Sequence, residues 1–160
     1  MTCKTPLSWR FCGSRFAYIY AIYSINCKLC YIGQTNDRTG IIGRLSAHLD
    51  SRGTFREHFE KIVGLPIDDV EDLYIISENL NNSVLFTSST SSYREGVEYL
   101  VKHELMKMMA FENIFLQLVG ETRSVSTTSL DYIKSEAQII AKNMFNEIKK
   151  DYTQLLLNEN

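Results

Sequence analysis

The 160-residue sequence has no apolar run near the roughly twenty residues that a membrane-crossing helix needs. Its first ten residues, Met1 to Arg10, lack the apolar stretch of a signal peptide. The chain is therefore expected to be soluble, intracellular and cytoplasmic, with no membrane partner. It also lacks a Gly-rich phosphate-cradling loop and a Ser-His-Asp order, so neither nucleotide-binding nor serine-hydrolase chemistry is indicated. Nor is it short of apolar residues or overloaded with charge. At 44% hydrophobic and 22% charged it matches globular averages, which excludes disordered, collagen-like and coiled-coil classes. A chain of this length forms one domain, or one domain with a small appendage, around a substantial core.

Four cysteines lie in the first thirty residues: Cys3, Cys12, Cys27 and Cys30. In a reducing compartment these are thiols or metal ligands rather than disulfides. Cys27 and Cys30 have the spacing at which two thiolates reach one zinc, but the gap between Cys3 and Cys12 is too wide for a matching second pair. Buried or incidental thiols are the better expectation, and a zinc-binding regulatory protein is the less favoured one.

Residues 16–33 are dense in Tyr and Ile, which suit a pleated, buried surface. A polar break at 24–28 divides them into an expected antiparallel hairpin, with strands near 17–24 and 29–33 and a turn at 26–28. Gln34–Gly40 reads as a loop. Helices are expected near 41–51, from Ile41, Leu45 and Leu49, and over 54–63, stopped by Gly64 and Pro66. The apolar run 73–76 reads as a third, central strand, and the Asn/Ser/Thr-rich segment 79–92 as a loop. Val97, Leu100, Val101, Leu105 and Met108 mark a helix over 93–109. Residues 115–119 fit either a strand or a helix end. After a Ser/Thr linker at 124–129, a long amphipathic helix runs nearly to the end, with its stripe serving as core or as an oligomer seam.

Chemistry-bearing residues cluster in this frame. Tyr20 and Tyr31 lie on adjacent strands of the expected hairpin, where a short turn brings two phenols together on one face. Arg44 and His48 stand at i, i+4 and share a helix face. A guanidinium there can grip phosphate oxygens in a fork, and an imidazole can exchange a proton near neutral pH. Glu98 lies on the core-facing side of its helix, where a carboxylate is costly unless paired or bound to metal. Phenols, Arg, His and a carboxylate together are what phosphodiester hydrolysis requires.

Tyr18-Ile19-Tyr20, ten intervening residues, Tyr31-Ile32-Gly33-Gln34-Thr35 and then Arg44-x-x-x-His48 resemble the GIY-YIG nuclease superfamily. Tyr18 stands where the family has Gly. A competing first motif, Ala21-Ile22-Tyr23, leaves only seven residues before Tyr31, so Tyr20 is preferred. The resemblance implies an α+β (α/β) fold: a small three-stranded antiparallel sheet flanked by helices, here with a long C-terminal helix. The nuclease-like domain would span 16–118. Residues 119–160 would form a linker and amphipathic helix, within the same globule or at a homodimer seam.

By the same resemblance, Tyr20 would orient or deprotonate water, Tyr31 would support it, and Gly33 would belong to the second motif. Arg44 would stabilise the pentavalent phosphate, and His48 would accept a proton. Glu98, with Glu104 as the alternative, would hold Mg²⁺ or Mn²⁺, and Asn113, fifteen residues past Glu98, would assist. The implied activity is a metal-dependent DNA endonuclease, a compact stand-alone enzyme of restriction, phage or repair type. The alternative is a catalytically inert nucleic-acid-binding module on the same fold.

The net charge of −2 conceals an uneven distribution. Residues 1–60 hold eight Lys/Arg and four Asp/Glu, a charge of +4, whereas residues 61–160 hold nine and fifteen, a charge of −6. The basic half contains Arg38, Arg52 and Arg56 as candidate nucleic-acid contacts. A local basic site on an acidic body implies modest, strongly salt-dependent DNA affinity. Binding isotherms at low and physiological salt check this, and superimposable curves would contradict it.

Overall fold

A computed structural model describes residues 16–80, 84–120 and 123–158. Its centre is a hairpin of β1 (Ala17–Ser24) and β2 (Leu29–Thr35), antiparallel, with Tyr20 opposite Gly33 and Ile22 opposite Tyr31. The turn between them is built by side chains as much as by backbone. The Asp72 carboxylate accepts from Ser24 Oγ (2.7 Å), Ile25 N (2.8 Å) and Asn26 N (2.9 Å). Lys28 takes a positive φ of 53° and donates its N–H to the Ile25 carbonyl.

β3 (Tyr74–Leu80) pairs antiparallel with β1, and β4 (Gln117–Val119) pairs parallel with β2, giving the order β3-β1-β2-β4. Two expectations are corrected here. The sheet has four strands and is mixed, because the ambiguous 115–119 segment supplies β4. The third strand is an edge, not central: β1 separates it from β2, and its second half is the polar Ser77-Glu78-Asn79, beyond the apolar run that signalled it. Two smaller corrections follow from pairing. β2 continues through Gln34 and Thr35, opposite Ile19 and Tyr18. The 79–92 segment ends β3 and carries a one-turn helix, α3 (Val84–Thr87).

Alternation along β1 divides the interior into two clusters. Every residue of β1 is buried, as befits a strand covered on both faces. Tyr18, Tyr20 and Ile22 pack with Ile41 of α1 (Gly40–Leu49) and with Phe55 and Phe59 of α2 (Thr54–Val63). α2 ends where expected, at Gly64, whose φ of 76° supplies the left-handed cap. On the opposite face, Ile19, Ala21 and Tyr23 pack with Val97, Val101 and Leu105 of α4 (Ser92–Phe111). The same cluster takes in Ile133, Ala137, Ile140, Met144 and Ile148 of α5 (Asp131–Asn158). The long helix is thus bonded into the main core, and Tyr23 Oη donates to Asp151 on it (2.5 Å).

Among the described residues, no helix is long and apolar enough to cross a membrane. Met144 is fully buried between layers. Met144→Ala is expected to cost about 2–5 kcal/mol in urea unfolding; a cost below about 0.5 kcal/mol would show that α5 is not part of the cooperative unit.

Candidate active site

The face of β1 and β2 that meets α1 collects the two phenols. Tyr20 and Gly33 are cross-strand partners, and the absence of a side chain at 33 lets the Tyr20 ring lie over it. A Cβ at residue 33 would come within 2.4 Å of the Tyr20 hydroxyl and 2.6 Å of its Cζ. Tyr31 is the diagonal neighbour, with its ring centroid 6.2 Å from that of Tyr20. α1 crosses above and presents successive-turn residues to them. His48 Nε2 lies 2.6 Å from Tyr20 Oη, and Arg44 Nε donates to the same oxygen at 3.3 Å. The rings of Tyr31 and His48 pack edge-on at 5.2 Å, and Phe55 of α2 closes the back of the site 5.3 Å from Tyr31.

Burial sets the charges in this cluster. It pushes both phenols above their ordinary range, with each other's charge (for Tyr20) and that of Glu98 (for Tyr31) adding to the effect. His48 is only 2% exposed; burial, then the Arg44 guanidinium, lowers it to about 4. At neutral pH the imidazole is neutral, and in the tautomer that carries its proton on Nδ1, Nε2 accepts from the Tyr20 hydroxyl while the phenol oxygen accepts from Arg44. Glu98 enters from α4, on the other side of the sheet. β4 ends opposite Tyr31, so β2 has no ladder partner from 32 to 35 on that side. Glu98 lies near enough for its charge to act on both Tyr31 and Arg44. Burial raises its carboxyl to about 7, opposed first by Lys102 and less by Arg44.

The structure therefore brings together Tyr20, Tyr31, Gly33, Arg44, His48 and Glu98. Tyr23, of the competing motif, points to the opposite face and binds Asp151. Glu104 sits two turns further along α4 in an ion pair with Lys107. Asn113 is exposed in a left-handed turn (φ 57°) beyond α4, bonded to Ala110 O rather than to the site. Arg38 and Arg52 are exposed near the two ends of α1. Arg56 is engaged elsewhere: it binds Glu60, Asp68 and the Leu49 carbonyl, knitting α1 to α2.

Two residues of the cluster have no signal in the motif. Lys102 Nζ donates to the Gly120 carbonyl, and Gly120 (φ 92°) lies so close to Tyr31 that a Cβ would sit 2.9 Å from its ring. The i, i+4 spacing of Glu98 and Lys102 is the only sequence clue to the first. Cys27 and Cys30 belong to different core clusters, and burial pushes the Cys30 thiol up to about 12. Cys3 and Cys12 lie outside the described residues.

No family model, curated protein or solved structure matches the chain.

The donor set bears on which metals would fit the site. Among the described residues, no three His, Cys, Asp or Glu side chains converge, which does not suit a protein-enclosed zinc. Glu98 is a single hard carboxylate with no hydrogen bond to a described side chain. That suits Mg²⁺, which keeps several waters and takes substrate oxygens as further ligands.

An NMR titration tests the electrostatics. The His48 resonance is expected to titrate near pH 4, and Arg44→Met to move its midpoint upward by removing a neighbouring cation. A wild-type midpoint near the ordinary 6.5 would contradict this geometry.

Proposed function

We propose that this protein is a Mg²⁺-dependent endonuclease of GIY-YIG type that hydrolyses DNA phosphodiester bonds, with Mn²⁺ able to substitute. One observation carries the reading: the Tyr20 hydroxyl is held between the neutral His48 imidazole at 2.6 Å and the Arg44 guanidinium at 3.3 Å, with the Glu98 carboxylate nearby. In this arrangement Tyr20 donates to His48 and retains a lone pair to orient water. The proton leaves water through Tyr20 towards His48. Arg44 has a second task, stabilising charge on the phosphate as the new P–O bond forms and the P–O bond to the leaving sugar oxygen breaks, that oxygen taking its proton from solvent. As the guanidinium turns to an anionic substrate, its depressing effect on His48 is offset and the imidazole becomes a better base. Glu98 would hold the cation, which when bound supplies Lewis-acid neutralisation of the transferring phosphoryl group. Tyr31 stays protonated and walls the site with Phe55 and Gly120.

One site with one metal cuts one strand. Cleavage of both strands therefore needs a second nick or a homodimer, for which the exposed side of α5, with Ile139 and Leu157, is the candidate seam.

Supercoiled plasmid tests the reading. Wild type is expected to nick it with Mg²⁺ and not with EDTA. Arg44→Ala and Glu98→Ala should each be slower by about 10²–10³-fold, and Glu104→Ala should cut normally. Normal cutting by Glu98→Ala would remove Glu98 from the site. Plasmid that is retarded in a gel but left intact across divalent metals would favour the inert binding module. Because the acid form of Glu98 does not bind a cation, apparent Mg²⁺ affinity should weaken by about tenfold per pH unit below 7 and level off above it. Metal titrations at pH 6 and pH 8 read this directly.

A further inference from the structure

Arg94 lies one helical turn before Glu98 on α4 and is buried, at 3% exposed. Among the described residues no carboxylate pairs with it. Its Nε donates to Gln34 Oε1 at 2.9 Å, and its Nη1 donates to the carbonyls of Phe86 and Ser88 at 2.8 Å and of Thr90 at 3.3 Å. Asn36 Nδ2 also donates to the Ser88 carbonyl, at 3.2 Å. A buried guanidinium thus gathers the oxygens of a surface loop and fastens that loop to β2, one residue past Gly33. This is the strand that carries Tyr31.

Gathering the carbonyls has a consequence for the other side of the loop. In a trans peptide the C=O and the following N–H point in opposite directions. With the carbonyls of 88 and 90 turned in to Arg94, the amides of Ser89 and Ser91 turn away from it. The Ser89 and Thr90 side chains are exposed beside them. Backbone N–H groups facing outward attract anions, and Ser/Thr hydroxyls with backbone amides are common phosphate contacts. The charge pattern agrees: residues 79–94 contain no Asp or Glu in a chain that is acidic overall. The loop is joined through Asn36 to the 36–39 segment, which carries the exposed Arg38.

We infer that the 88–91 loop is a second contact for the sugar–phosphate backbone of the DNA substrate, held in shape by Arg94 as a positioning residue. This rests on the nuclease reading and adds to it a substrate-binding surface outside the catalytic cluster. The contact is independent of base sequence, because phosphate contacts carry no base information.

Ser89→Glu/Thr90→Glu places two carboxylates on the loop and touches no core contact. Its Kd for a 20-base-pair duplex, measured by fluorescence anisotropy in EDTA, is expected to rise by at least tenfold. Its KM on plasmid should rise in parallel, with kcat and melting temperature unchanged. Arg94→Met should weaken duplex binding, with Arg94→Lys intermediate. Should wild type cut plasmid while the double variant binds and cuts identically, this inference fails, the nuclease reading stands, and Arg94 is only a brace. A wild-type protein that neither binds duplex nor cuts plasmid overturns both together.

Discussion

At residue 33 a side chain would collide with the Tyr20 hydroxyl at 2.4 Å, and its absence allows a large phenol to lie flat across the neighbouring strand. From there the oxygen reaches both His48 and Arg44 on α1. The same close approach recurs at Gly120, whose missing Cβ makes room for the Tyr31 ring. A glycine on β2 and another just past β4 thus shape the pocket into which two phenols fit. α1 and α2 follow, because they cover the ring faces that the glycines leave open.

At rest the cluster is held largely in uncharged forms. Burial raises Tyr20, Tyr31 and Glu98 and lowers His48, so that near neutrality the phenols and imidazole are neutral and Glu98 is near its midpoint. The positive charges of Arg44 and Lys102 are then only partly compensated from within. A site of this kind favours an anionic visitor, and buried charges act on it more strongly than the same charges would in water. The contrast in sign matters for stability. The His48 contribution falls as pH drops from 6.5 towards 4, whereas that of Glu98 falls as pH rises from 4.5 towards 7.

Much of this was legible in local pattern. The hairpin was readable from its Tyr/Ile composition and polar break, and the pairing of Tyr20 with Tyr31 from period two. Arg44 with His48 followed from the helical repeat. Glu98 was preferred to Glu104 on the family pattern, from Val101 three positions after it and Asn113 fifteen past it. What was not legible depended on contacts distant in sequence. The three residues of β4 lie in a segment whose pattern fits a strand or a helix end, and only pairing with Leu29–Tyr31 decides between them. The edge position of β3 depends on which strand lies between, which no single segment encodes. Gln34 and Thr35 looked like loop residues because their polarity is satisfied by partners elsewhere, Arg94 in the case of Gln34.

β1 belongs to both halves of the interior, with Tyr20 turned to α1 and Tyr23 turned to α5. A one-residue insertion or deletion inside it would therefore exchange the two tyrosines, presenting Tyr23's place in the core to a phenol meant for chemistry. The strand is a gauge whose parity is read by both layers at once. Length changes are accordingly intolerable along the eight residues of β1.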